Sequence, residues 1–294
     1  HSLSDSHPVS GSDTTGCESD SECGLWSYCD STVFPAVCSR LSKSCPGDGT
    51  CSGHGTCGYI DVIHRDYLAD CSQGDSSCKS ECSCDTGFAG KLCAISKAAL
   101  QQKQAMRTRL LETLNRVTKT ENPSATSVRS WSSSLGALTQ NTDEISKESV
   151  GTVTEVAARV MGSLVFTNGD LNGGDGVGVV AALSAGLDVK REPDVVTGRR
   201  SMLVDTSNDT VIDTALLILS NYTRVVEGGL VPGQGSSYTI KPSFRMSSMV
   251  VSDVAGSSFT TPRTFEETLS NVDPVSISLQ SANTSGATGG IRRL

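Results

Sequence analysis

Beyond Cys93 this 294-residue chain contains no cysteine, although twelve precede that point. Two kinds of folding therefore share one polypeptide. The first third has the cysteine density of a disulfide scaffold, and the remainder is long enough to bury an ordinary core of one or two domains. Aromatic residues are scarce, at 4%. With so many Ser, Thr and Gly, the composition suits a solvated and glycan-bearing surface better than a cofactor pocket, and no cofactor is expected. The formal charge is -8, and no Lys/Arg cluster could replace the counterions of nucleic acid, which is excluded as a partner. No apolar run approaches the roughly eighteen residues that cross a bilayer. Leu216 to Leu219 reads as a short buried patch, so a membrane enters only through sequence outside this chain.

Catalytic signatures are also missing. There is no Gly-x-Ser-x-Gly elbow and no His-Glu-x-x-His helix, and all four histidines precede Arg65. A Ser-His-Asp constellation would have to borrow its histidine from the disulfide-rich third, so no catalytic residue is assigned. Glu266 and Glu267 read as a solvated acidic face. Asp170-Leu-Asn172-Gly-Gly-Asp175-Gly176 resembles a calcium loop, but Gly174 stands where a ligand is needed and no closing Glu follows. It reads as an ordinary Gly/Asn/Asp loop, and without a following Gly-Lys-Ser or Gly-Lys-Thr it cradles no phosphate either. No metal site is assigned.

What is present begins with a Ser/Thr-rich stretch lacking apolar periodicity, residues 1–16, expected to be a mobile arm. No basic-then-apolar leader opens the chain at His1, so a signal peptide has been removed or upstream sequence is missing. Cys17, Cys23, Cys29 and Cys38 form a small module, residues 17–44. Of its three pairings, Cys17 to Cys29 with Cys23 to Cys38 is favoured, because overlapping loops constrain a short segment most tightly. Zinc usually needs two close pairs. Only Cys51-Ser-Gly-His54 has that form, and His54 and His64 read as exposed loop residues.

Cys82-Ser-Cys84-Asp-Thr-Gly87-Phe88-Ala-Gly90-Lys-Leu-Cys93 describes a small hairpin closed by a disulfide. Together with Cys45, Cys51-Ser-Gly-His-Gly-Thr-Cys57 and their order, residues 45–93 resemble an epidermal-growth-factor-like (EGF-like) module. The resemblance implies bridges Cys45 to Cys57, Cys51 to Cys82 and Cys84 to Cys93. The chain departs from the family in the long interval from Cys57 to Cys82. Cys71 and Cys78 lie inside it, close together and even in number, which suggests a private bridge across an inserted loop, Tyr59 to Lys79, bulging from the module. Some family members bind calcium through acidic residues before the first cysteine. Here Arg40-Leu41-Ser42-Lys43-Ser44 offers no carboxylate.

After Cys93 the periodicity becomes helical. Ile95, Ala99, Met106, Leu110, Leu114 and Val117 mark a first stripe, ended by Asn122-Pro123. Val128, Trp131, Leu135 and Leu138 mark a second. Ile145, Val153, Val156, Val160 and Leu164 mark a third, with Asp143 and Glu144 placed for its positive dipole end. These give a helical bundle over residues 94–200, which also holds a weaker apolar segment, Val177 to Val189. Over residues 201–294, a helix capped by Asp209 carries Val211, Ala215, Leu216, Leu219 and Tyr222 to Gly228-Gly229. Half-buried strands follow at Tyr238 with Ile240, Phe244 with Met246, and Val275, Ile277 and Leu279. The fold class is small disulfide-rich modules, then an α+β region of helices followed by β-sandwich-like strands.

Arg109-Leu-Leu-Glu-Thr-Leu114, Trp131-Ser-Ser-Ser-Leu-Gly-Ala-Leu-Thr139 and Glu144-Ile-Ser-Lys-Glu-Ser149, with strands from Tyr238 to Val254, resemble the helical part and first strands of a GAIN-type region over roughly Ile95 to Gln280. Such regions occur in polycystin-like proteins, their sperm-receptor-for-egg-jelly relatives and adhesion receptors. The family's cysteine-tryptophan framework and His-Leu-Ser or His-Leu-Thr cleavage tripeptide are missing, so no autoproteolysis is implied. Asn208-Asp-Thr, Asn221-Tyr-Thr and Asn283-Thr-Ser have the form of N-glycosylation acceptors. The resulting expectation is an extracellular or cell-surface glycoprotein segment, non-enzymatic, meeting other extracellular proteins or copies of itself. The alternative is a structural subunit of an extracellular fibre such as a flagellar hair.

Overall fold

A computed structural model describes residues 16–24, 26–62, 64, 66–167, 171–191, 210–232, 234–250, 258–264, 267–268 and 273–278. The expected N-terminal arm, the Asp209 cap, Asp170, Glu266, Leu279, Asn208 and Asn283 lie outside those residues, except that Gly16 is described. The chain divides into two compact units, His1–Gln102 with Arg263–Val272, and Lys103–Pro262 with Asp273–Leu294.

The first unit is built of short hairpins held by sulfur. β1 (Ser27–Asp30) pairs antiparallel with β2 (Val37–Arg40), setting Cys29 opposite Cys38. β3 (Gly55–Asp61), β4 (Tyr67–Leu68) and β5 (Cys78–Cys84) form a sheet of order β4-β3-β5, with Cys57 opposite Cys82. β6 (Phe88–Ala89) pairs with β7 (Ile95–Ser96). Too few aliphatic side chains are present for a conventional core, and buried Cys45, Cys51 and Cys93 take that place, with Cys82 and Cys84 packed on them. Gly55 is required at that core. A Cβ there would lie 2.6 Å from the Ser83 carbonyl oxygen and 2.9 Å from the Cys93 sulfur.

The second unit has a hydrophobic core of ordinary kind. α1 (Lys97–Thr120), which belongs to this unit from Lys103 onward, starts where the Ser96 hydroxyl accepts from the Ala99 amide. α2 (Ala125–Thr139) opens after Pro123 with a reciprocal Ser124–Ser127 capping box. α3 (Val150–Phe166), α4 (Val177–Arg191) and α5 (Thr210–Glu227) follow. α3 packs against α2, α4 and α5 and buries Val153, Val156, Val160 and Leu164, as its stripe requires. α5 contributes Ala215, Ile218 and Tyr222 to the same core. Gly228 and Gly229 then end it, their amides donating to the Arg224 and Val226 carbonyls.

The structure corrects several expectations. α1 buries Leu111, Leu114 and Thr118, whereas Met106, Leu110 and Val117 face solvent. Asp143 and Glu144 belong to a separate 3-10 turn, Thr142–Glu144, so they do not serve the dipole of α3. Leu216 and Leu217 are exposed, the buried side of α5 falling on their neighbours. β8 (Ser237–Lys241) pairs with β9 (Phe244–Ser248) so that Thr239 opposes Met246 and Lys241 opposes Phe244. Phe244 and Met246 therefore turn to the helical core, and Tyr238 and Ile240 turn outward. β10 (Ser258–Thr260) pairs with β11 (Ser276–Ser278), next to an exposed Val275. Among the described residues of this portion the strands form two two-stranded ribbons.

Candidate functional site

The disulfides set the geometry of the first unit. Cys17 joins Cys29, Cys23 joins Cys38, Cys45 joins Cys57, Cys51 joins Cys82, Cys71 joins Cys78 and Cys84 joins Cys93, leaving no free cysteine. Two modules share one plan that the sequence reading missed. Cys17, Cys23 and Cys29 have the same spacing as Cys45, Cys51 and Cys57, and each first-to-third bridge spans a separation of 12. The third cysteine sits on the first strand of a hairpin, and the second reaches across to the strand opposite. The repeated spacing was the available signal. Two groups of sulfurs approach closely enough to hold an ion, Cys17/Cys23/Cys38 and Cys45/Cys51/Cys82. Every one of them is already in a disulfide and offers no thiolate.

The inserted loop does not bulge freely. It is stitched to the segment joining the modules: the Lys43 amide donates to the Cys71 carbonyl at 2.7 Å, and the Gln73 amide to the Leu41 carbonyl at 2.8 Å. The Ser42 hydroxyl donates to Asp70 at 2.5 Å, Lys43 Nζ to the Cys78 carbonyl at 3.0 Å, and the Ser80 hydroxyl to the Ser44 carbonyl at 2.8 Å. The Asp75 carboxyl is held below its ordinary value, first by the Ser77 hydroxyl and amide and then by the charges of Lys43 and Arg40. The first hairpin is thereby oriented on the second module.

That hairpin presents an apolar tip. Phe34 is 102% exposed between Val33 and Pro35, at the turn from β1 to β2. The strands beneath are fixed by two bridges, and the Cys29 amide donates to Asp20 Oδ1 at 2.8 Å. On the short strand β4, Tyr67 is also largely exposed. A large aromatic left in water costs free energy unless a partner covers it, and rigid aromatic side chains dominate binding energetics.

Elsewhere two polar clusters are satisfied within themselves, whereas the buried Trp26 Nε1, Asn115 Oδ1 and Ser248 Oγ have no hydrogen-bond partner among the described residues. Buried Glu144 accepts from Lys103 at 3.0 Å, Asn141 at 3.1 Å and Arg107 Nε at 2.6 Å. Arg107 also donates to the Ala137 and Leu138 carbonyls at the end of α2. Burial pushes the Glu144 carboxyl up, but the Lys103 and Arg107 hydrogen bonds and charges outweigh it and hold the group below its usual value. In the glycine loop, Asn172 and Asp175 cap each other and Arg129 donates to Asp175 at 3.0 Å, so that carboxylate is engaged in a turn. His54 stacks on Phe88 with ring centroids 3.8 Å apart, and His64 lies 3.2 Å from Asp61. A groove of about 450 Å³ in the second unit is lined by Thr154, Ala158, Val211 and Thr214, with Glu155 and Arg159 paired across 3.6 Å. Asn221 sits half-buried on α5, and the Thr223 hydroxyl of its acceptor motif donates to the Leu219 carbonyl.

Six disulfides are the chemistry of an oxidising, extracellular-type compartment. No helix among the described residues is long and apolar enough to cross a membrane. No family model, no curated protein and no solved structure matches this chain.

Proposed function

We propose that the chain is a non-enzymatic extracellular adhesion or assembly segment of a larger cell-surface glycoprotein. In this reading residues 45–93 are an EGF-like module, the helices and strands after Cys93 are a GAIN-type region, and Asn208, Asn221 and Asn283 carry N-linked glycans. The partners are other extracellular proteins or further copies of the chain. One observation carries the reading: Phe34 stands fully in solvent on a hairpin held by two disulfides, so its presentation costs a partner little ordering entropy.

The test is binding of labelled chain to the surface of source cells, comparing wild type with Phe34→Ser. Saturable binding by the wild type, weakened at least tenfold in the variant, supports the proposal. Equal binding by both, or none by either, overturns it.

A further inference from the structure

Charge is distributed unevenly along the chain. The described residues before β2 contain four carboxylates, Glu18, Asp20, Glu22 and Asp30, and the hairpin sets one cation against them, Arg40 at the end of β2 away from the Phe34 turn. α1 carries six Lys or Arg against the single Glu112. Lys103 and Arg107 are engaged by Glu144, and Lys119 by Glu155. Arg109 and Arg116 remain on the solvent side, beside the exposed stripe of Met106, Leu110 and Val117. Met106 is 64% exposed and Leu110 46%. Successive members of such a stripe lie three to seven residues apart on one helical face. The chain thus carries an acidic surface with an apolar knob and a basic surface with an apolar stripe.

We propose that the Phe34 hairpin of one copy docks on the α1 stripe of a second copy. The inference rests on the assembly side of the proposed function and names the surfaces that meet. Phe34 and Val33 cover Met106 and Leu110, and the carboxylates around the hairpin face Arg109 and Arg116. The same carboxylates oppose docking of the knob on an anionic lipid surface. Because the two patches differ, the contact is heterologous: every copy keeps one unused knob and one unused stripe, and growth is open-ended unless the rotation closes a ring.

Sedimentation velocity over a concentration series tests this directly. The wild type should associate progressively, and less so as salt is raised, because the patches attract through solvent-exposed charge. Phe34→Ser removes the knob, and Arg109→Glu with Leu110→Ser removes the stripe. Each variant alone should stay monomeric. An equimolar mixture should give a one-to-one dimer that grows no further, since one variant supplies the stripe and the other the knob. The altered side chains are exposed, and far-ultraviolet circular dichroism verifies the fold.

A wild type that is monomeric throughout, association independent of concentration, either variant associating like wild type, or a mixture that stays monomeric overturns the inference. Association that strengthens with salt does so without any variant. If association fails while Phe34-dependent binding to cell surfaces persists, the adhesion reading stands and only the self-docking is wrong.

Discussion

The Lys43 amide donates to the Cys71 carbonyl at 2.7 Å, tying the segment between the two disulfide modules to the cysteine that opens the inserted loop's own bridge. The loop is therefore a clamp, and the bridge from Cys71 to Cys78 keeps it in shape.

Replacing both cysteines, Cys71→Ser with Cys78→Ser, should release that clamp. With a sequence separation of 7, the chain-entropy contribution of the bridge is about 2 kcal/mol. Hydrogen exchange should accelerate at the Lys43 and Gln73 amides while the ladder between β3 and β5 stays protected. Unchanged exchange at those two amides would show that the bridge does not maintain the stitching.

Glu144 should make the second unit acid-sensitive. Its folded pKa lies below its ordinary value, so its stabilisation is complete above the unfolded value of about 4.3 and is lost as pH falls through the folded one. Glu144→Gln removes the charge that Lys103 and Arg107 meet, at a cost of about 1–3 kcal/mol at neutral pH. Denaturant titrations at neutral and acidic pH check this. The gap between variant and wild type should narrow in acid, and a gap independent of pH would contradict the assignment.

The contact between α2 and α4 should tolerate no side chain at Gly178. A Cβ there would lie 2.1 Å from the Ser132 carbonyl oxygen, and one at Gly136 would lie 3.0 Å from the Gly178 Cα. Gly178→Ala should therefore cost at least about 2 kcal/mol through overpacking. Gly162→Ala, in α3 with nothing within 4 Å of the new methyl, should instead stabilise by about 0.5–1 kcal/mol. Thermal melts of the two variants should move in opposite directions.

Legibility followed how strongly burial constrained each segment. The stripe of α3 was readable because that helix is covered by three others, so its apolar positions have one face to choose. On α1 two stripes compete. Met106, Leu110 and Val117 have helical spacing as good as that of Leu111 and Leu114, and only the partners across the core decide which is buried. Tyr238 and Ile240 alternate correctly for a strand, but the register that aims Phe244 and Met246 at the helices turns them outward. Glu144 read as a dipole partner because its cations lie in α1, about forty residues away by sequence and in contact only once folded. The clamp on Leu41–Ser44 left no local signal, since four of its five hydrogen bonds end on backbone carbonyls and their donors and acceptors lie far apart in sequence.

Peptide mapping of native, unreduced protein after exposure to iodoacetamide tests the disulfide scaffold most directly. No alkylated cysteine and six cross-linked pairs are expected, with Cys17 bound to Cys29, Cys45 to Cys57 and Cys71 to Cys78 among them. Alkylation of most of the twelve cysteines in folded material would contradict it, and with it the rigid hairpin that presents Phe34.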